Sequence, residues 1–110
     1  MTEHGGFELL APAGNFETLK SAVANGADAV YIGGRAFSAR QSAANFSNGE
    51  IAEAVRFAHL YGAKVYAAVN ILVHDSELSE VFEFIKFLYE VGIDALIVQD
   101  LAVVRMVRVL

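Results

Sequence analysis

The chain has 110 residues, enough for one domain, with eight basic against thirteen acidic side chains and a formal charge of −5. That balance excludes the electrostatic footprint of a nucleic-acid-binding segment, and the absence of cysteine excludes disulfides, a thiolate nucleophile and a cysteine-held metal site. No apolar run reaches the ~18 residues of a membrane span and the start lacks the blocks of a secretory signal, so the sequence reads as cytoplasmic with no membrane partner.

Residues 1–6 read as a disordered tail. Residues 7–11 form the first predicted strand, which Pro12 ends. Asn15 is a natural N-cap for a helix over about 16–25, with Phe16, Leu19, Ala22 and Val23 on one face. Gly26 supplies its left-handed exit. Residues 28–32 form the second strand, and 33–46 the longest loop, of a length that is often functional. Ser47 and Glu50 make a capping box for a helix to about residue 61, with Ile51, Ala54, Val55 and Ala58 buried. Gly62 stops it. Residues 64–69 are the third strand. The loop 70–75 leads to a helix capped by Asp75 or Ser76, with a wide apolar face of Leu78, Val81, Phe82, Ile85, Leu88 and Tyr89. Gly92 ends that helix, 94–98 are the fourth strand, and Asp100 caps a last helix.

The same plan recurs at Gly6, Gly26, Gly62 and Gly92: glycine, a charged residue two places on, then an apolar run. Such repetition marks stacked supersecondary units. Strict alternation of strand and helix gives a parallel sheet, and the equivalence of the units favours half of a TIM-type (βα)8 barrel over an open doubly wound sheet. Hydrophobic residues make up 55% of the chain and the mean hydropathy is +0.43. These values predict part of a larger assembly, or self-association through an apolar face and the open sheet edges.

Counting from each glycine puts Leu9, Ala11, Ala29, Tyr31, Val65, Ala67, Ala95 and Ile97 on one side of the sheet. That side is expected to line the barrel axis, with Leu10, Val30, Ile32, Tyr66, Ala68, Leu96 and Val98 under the helices.

In such a sheet, function sits at the C-terminal ends of the strands. Gly33 and Gly34 allow close backbone approach to a ligand, or simply a strand exit with positive φ. Arg40 can grip a carboxylate or phosphate with two parallel hydrogen bonds, or tie its own loop. Asn70 and Gln99 follow strands and are candidate polar anchors, Asn70 equally a turn residue. His74 and Asp75 suggest a base with an orienting acid. As sequence neighbours they do not face each other on a helix or strand, and Asp75 also suits an N-cap. Glu8, entering a strand, is expected at the rim or buried with a partner. No Ser/His/Asp order, HExxH motif or carboxylate pair is evident, so the catalytic residues are unassigned.

The ordered motifs Glu8-Leu-Leu-Ala-Pro-Ala-Gly14, Gly26-Ala-Asp-Ala-Val-Tyr-Ile-Gly-Gly34, Phe37…Arg40…Asn45-Phe46, Val69-Asn70 and Asp94-Ala-Leu-Ile-Val-Gln-Asp100 resemble the N-terminal part of the peptidase U32 (collagenase-like protease) family. His74-Asp75, Glu77-Leu78 and the Leu-Ile-Val-Gln-Asp ending are most similar to its ribosomal-RNA hydroxylation branch. The resemblance implies that residues 7–110 are a truncated barrel segment of a U32 putative peptidase, inactive alone, or part of an RNA-pyrimidine hydroxylation protein. It implies substrate binding by Arg40, Asn45, Asn70, Gln99, Gly33 and Gly34, with RNA or peptide reached only through the full-length protein. It also implies an iron–sulfur cluster in the full-length relative and none here. An anion-binding half-barrel that pairs with itself, or with the missing C-terminal half, is the alternative from the residues alone.

Overall fold

The computed structural model describes residues 6–33, 46–69 and 78–98, together with Val104, Arg105 and Arg108. The elements follow one another as β1 (Leu10–Pro12), α1 (Phe16–Ala24), β2 (Ala29–Gly33), α2 (Asn48–Leu60), β3 (Lys64–Val69), α3 (Leu78–Glu90) and β4 (Ala95–Val98). Val104, Arg105 and Arg108 are helical. The four strands form one parallel sheet in sequence order, β1-β2-β3-β4. This is the α/β arrangement of half a (βα)8 barrel.

Local chemistry sets the helix ends. The Asn15 side chain accepts the Thr18 N–H at 2.8 Å. The Ser47 hydroxyl accepts the Glu50 N–H at 3.1 Å while Glu50 Oε1 accepts the Ser47 N–H at 3.0 Å, which closes the expected capping box. Phe46 before it and Ile51 after it are both buried, a hydrophobic staple. The helices α1, α2 and α3 end alike. After α1, the Gly26 N–H bonds Val23 O and the Ala27 N–H bonds Ala22 O; Gly62 and Ala63 repeat this after α2, and Gly92 and Ile93 after α3. This is the Schellman pattern. It needs a left-handed residue, and Gly26, Gly62 and Gly92 stand at φ 98°, 79° and 89°.

The helices lie on one face of the sheet. Their buried residues Leu19, Val23, Ile51, Ala54, Val55, Ala58, Phe84, Ile85 and Leu88 form one core with Val30, Ile32, Val65 and Ala67 of the strands. Among the described residues no helix covers the other face, where Leu10 is 45% and Ile97 44% exposed. A doubly wound sheet would carry helices on both faces; this one does not among the described residues.

The register corrects the expected facing. Leu10 pairs with Ala29, Ala29 with Lys64, and Tyr66 with Ala95. Measured from each unit's glycine, the paired position therefore slips back by one residue at every step. Counting from the glycines assumes no slip, so it succeeds on alternate strands only. Ala29, Tyr31, Ala95 and Ile97 do line the open face. Ala11, Val65 and Ala67, expected beside them, instead pack under the helices, and the register carries Leu10, Tyr66 and Ala68 to the open face.

The first strand also begins later than residue 7 and includes Pro12. Ala13 N–H bonds Tyr31 O towards β2, so alternation turns the missing Pro12 donor to the free edge, where no ladder bond is lost.

Candidate functional site

Because the strands are parallel and in sequence order, their C-terminal ends share one rim. Gly33 closes β2 there at φ 106°, a conformation that suits glycine, and pairs with Ala68. Asn15, on the loop after β1, commits its side-chain oxygen to the α1 cap. The other candidates, Gly34, Arg40, Asn45, Asn70, His74, Asp75 and Gln99, lie outside the described residues, as does Asp100.

At the opposite pole the repeated charged position acquires a role. The Asp28 N–H donates to Leu9 O at 2.9 Å, and Asp28 Oδ2 accepts the Leu9 N–H at 2.7 Å. Asp94 repeats this on β3: its N–H donates to Val65 O at 2.9 Å and its Oδ2 accepts the Val65 N–H at 2.7 Å. Each aspartate thus clips both backbone groups of one residue at the start of the preceding strand. His59, at the end of α2, meets the same Asp94 Oδ2 through Nε2 at 2.7 Å. This is an imidazole–carboxylate pair of the kind that hydrolases use. Its place at the strand starts, where a βα barrel keeps its stabilising contacts, makes it a structural tie.

The open face holds a second polar contact that sequence spacing does not suggest. Tyr66 Oη donates to Glu8 Oε1 at 3.1 Å across 58 residues of sequence, reaching from β3 past β2 to the approach of β1. Glu8 is therefore partnered but exposed. Burial first, then the hydrogen bond to Glu8 and the charges of Glu8 and Asp94, push the Tyr66 phenol above its ordinary value of 10.0. Since the raised value belongs to the folded state, its contribution to stability is full below pH ~10 and is lost as pH rises through the folded value. In an ultraviolet titration we expect Tyr66 to ionise above its ordinary value of 10.0 and Tyr66→Phe to delete that step. An unchanged titration in the variant would refute the assignment.

Among the described residues, no three His, Cys, Asp or Glu side chains group as metal ligands. No helix among them is long and apolar enough to cross a membrane.

A parallel βα frame with helices on one face and a common rim defines the class: a barrel-type βα segment. The family model described as Peptidase family U32 matches residues 14–110, and the chain belongs to that family. It is 48% identical over 99 residues to the 23S rRNA 5-hydroxycytidine C2501 synthase of Escherichia coli, covering 90% of this chain and 15% of that protein. It is 46% identical over 101 residues to the tRNA hydroxylation protein P1 of Bacillus subtilis, covering 92% and 24%. It is 38% identical over 99 residues to an uncharacterized protease of Methanocaldococcus jannaschii, covering 90% and 24%. The chain thus spans a quarter or less of the length of these relatives.

Proposed function

We propose that this chain supplies the first βα units of a U32 barrel whose intact form acts in hydroxylation of a pyrimidine base in RNA. The observation that carries the reading is the 48% identity, over nearly the whole chain, to a protein named for 5-hydroxycytidine synthesis. In this reading the rim loops present Arg40, Asn45, Asn70 and Gln99 to the substrate, with Gly33 and Gly34 giving backbone access. Any iron–sulfur centre would be held by cysteines of the remaining sequence, since this chain has none. The work would be done in the cytoplasm, where RNA is modified, and these residues alone would not catalyse it.

Peptide hydrolysis is the second reading, favoured by the family description and the protease-named relative. Against it stands the His59–Asp94 pair, which is committed to the Val65 backbone far from the rim.

The test is a chimaera in which residues 7–110 replace the matching segment of the Escherichia coli relative, in a strain lacking that protein. Mass spectrometry of ribosomal RNA should detect 5-hydroxycytidine again with the chimaera. Arg40→Ala in the chimaera should lower it, because a bidentate contact is lost. A folded chimaera that cleaves gelatin and leaves the RNA unmodified would overturn the proposal in favour of the second reading.

A further inference from the structure

We propose that Tyr31 is the platform on which the substrate base stacks, in a recess at the barrel mouth that Gly33 and Ala68 leave free. The inference rests on the RNA-modifying reading above and names the surface that would take the planar ring.

The register carries it. On the face without helices, the interior side of a barrel, side chains fall into rows across the strands. Leu10, Ala29 and Lys64 form the row nearest the strand starts. Pro12, Tyr31, Tyr66 and Ala95 form the next, and Gly33, Ala68 and Ile97 the row nearest the rim. Bulky branched residues usually fill such an interior. Here the aromatic rings stand in the middle row, and over β2 and β3 the rim row offers nothing larger than a methyl group.

The dimensions suit a stacked ring. Two residues along a parallel strand span roughly 6.6 Å, and stacked aromatic rings keep their centroids ~4.5–7 Å apart. A planar ring laid on Tyr31 towards the rim therefore occupies the place that Gly33 has no side chain to fill. Gly33 stands at φ 106°, a backbone that a larger residue adopts only with strain. Each layer of a barrel interior takes one residue from each alternate strand. The gap at Gly33 and Ala68 thus belongs to β2 and β3, and a residue of a later strand has its own position. Ile97 walls the recess on the β4 side.

Tyr66 does not compete for this space. Its hydroxyl donates to Glu8 Oε1 at 3.1 Å. Glu8 precedes Pro12, the residue level with both tyrosines, so the bond draws the Tyr66 ring towards the strand starts and away from the mouth. Proteins that read single-stranded RNA lay unstacked bases on aromatic faces, and an enzyme acting on a base first takes it out of its stack.

The chimaera described above is the test protein, with two readouts. One is 5-hydroxycytidine in ribosomal RNA. The other is binding, by fluorescence anisotropy, of a short RNA spanning the modified cytidine, with the same RNA abasic at that position as reference. Tyr31→Phe keeps a flat ring and should retain binding. Tyr31→Leu removes the ring but not the bulk, and should weaken binding of the intact RNA at least about fivefold while the abasic RNA binds as before. Ala68→Leu fills the recess and should abolish hydroxylation with the melting temperature unchanged. Equal binding by Tyr31→Leu and Tyr31→Phe overturns the proposal. So does a lowered melting temperature for Ala68→Leu, which would mean that protein already fills the recess. If Tyr31→Leu fails to fold, Ala68→Leu decides. An unsubstituted chimaera that neither binds nor modifies the RNA sinks the functional reading and this inference together; one that does both, with variants that match it, sinks the inference alone.

Discussion

Ile32→Ala is expected to lower the stability of the fold by about 2–5 kcal/mol, enough to unfold a large share of so small a domain under mild denaturant. Ile32 is fully buried in the core shared by the strands and the helices. Truncation removes both the transfer free energy of its methyl groups and the contacts of the neighbours left around the hole. Collapse to fill that hole is resisted because β2 is tied on both sides, to β1 and to β3. Leu60→Ala is the control. Leu60 is 79% exposed at the end of α2, and its loss should change stability by no more than about 0.5 kcal/mol. Urea unfolding followed by circular dichroism measures both. Equal effects would mean that the core does not lie between this sheet face and the helices.

Asp94→Ala should cost about 1–3 kcal/mol, because it strands the half-buried Val65 N–H that the carboxylate accepts. His59→Ala should cost less, up to about 1 kcal/mol: its pair with Asp94 is 42% and 29% exposed on the two sides, so solvent screens it. The comparison separates the two roles of one carboxylate. A larger loss for His59→Ala would show the imidazole pair, and not the backbone clip, to be what holds the start of β4. Asp94→Asn keeps an acceptor and should fall between the two. Asp28→Ala, which removes the matching clip on Leu9, should follow Asp94→Ala with a smaller effect, since that contact is exposed.

Much of the architecture was readable from local chemistry. The Ser47/Glu50 box, the Asn15 cap and the glycines at 26, 62 and 92 act within four or five residues of themselves, so spacing alone exposes them. Helical periodicity likewise marked Ile51, Ala54, Val55 and Ala58 as buried, as they are. The facing of β1 and β3 was not readable, because register is a relation between strands and a slip of one residue exchanges the two faces. For the same reason Asp28 and Asp94 showed only as a recurring charge; their partners, Leu9 and Val65, are 19 and 29 residues away. Nothing in the spacing of Glu8 and Tyr66 foretold their contact. At the rim, Gly33 has the backbone that its residue type suggested, and the remaining candidates lie outside the described residues.

The two aspartate clips occur at alternate junctions, β1–β2 and β3–β4, while at β2–β3 the equivalent position is Lys64, which offers only its backbone N–H to Asp28 O. With the one-residue slip, this gives the frame a parity. Inserting or deleting a single strand–helix unit would bring an aspartate against the wrong neighbour and turn every later side chain inside out. Adding or removing two units would restore both.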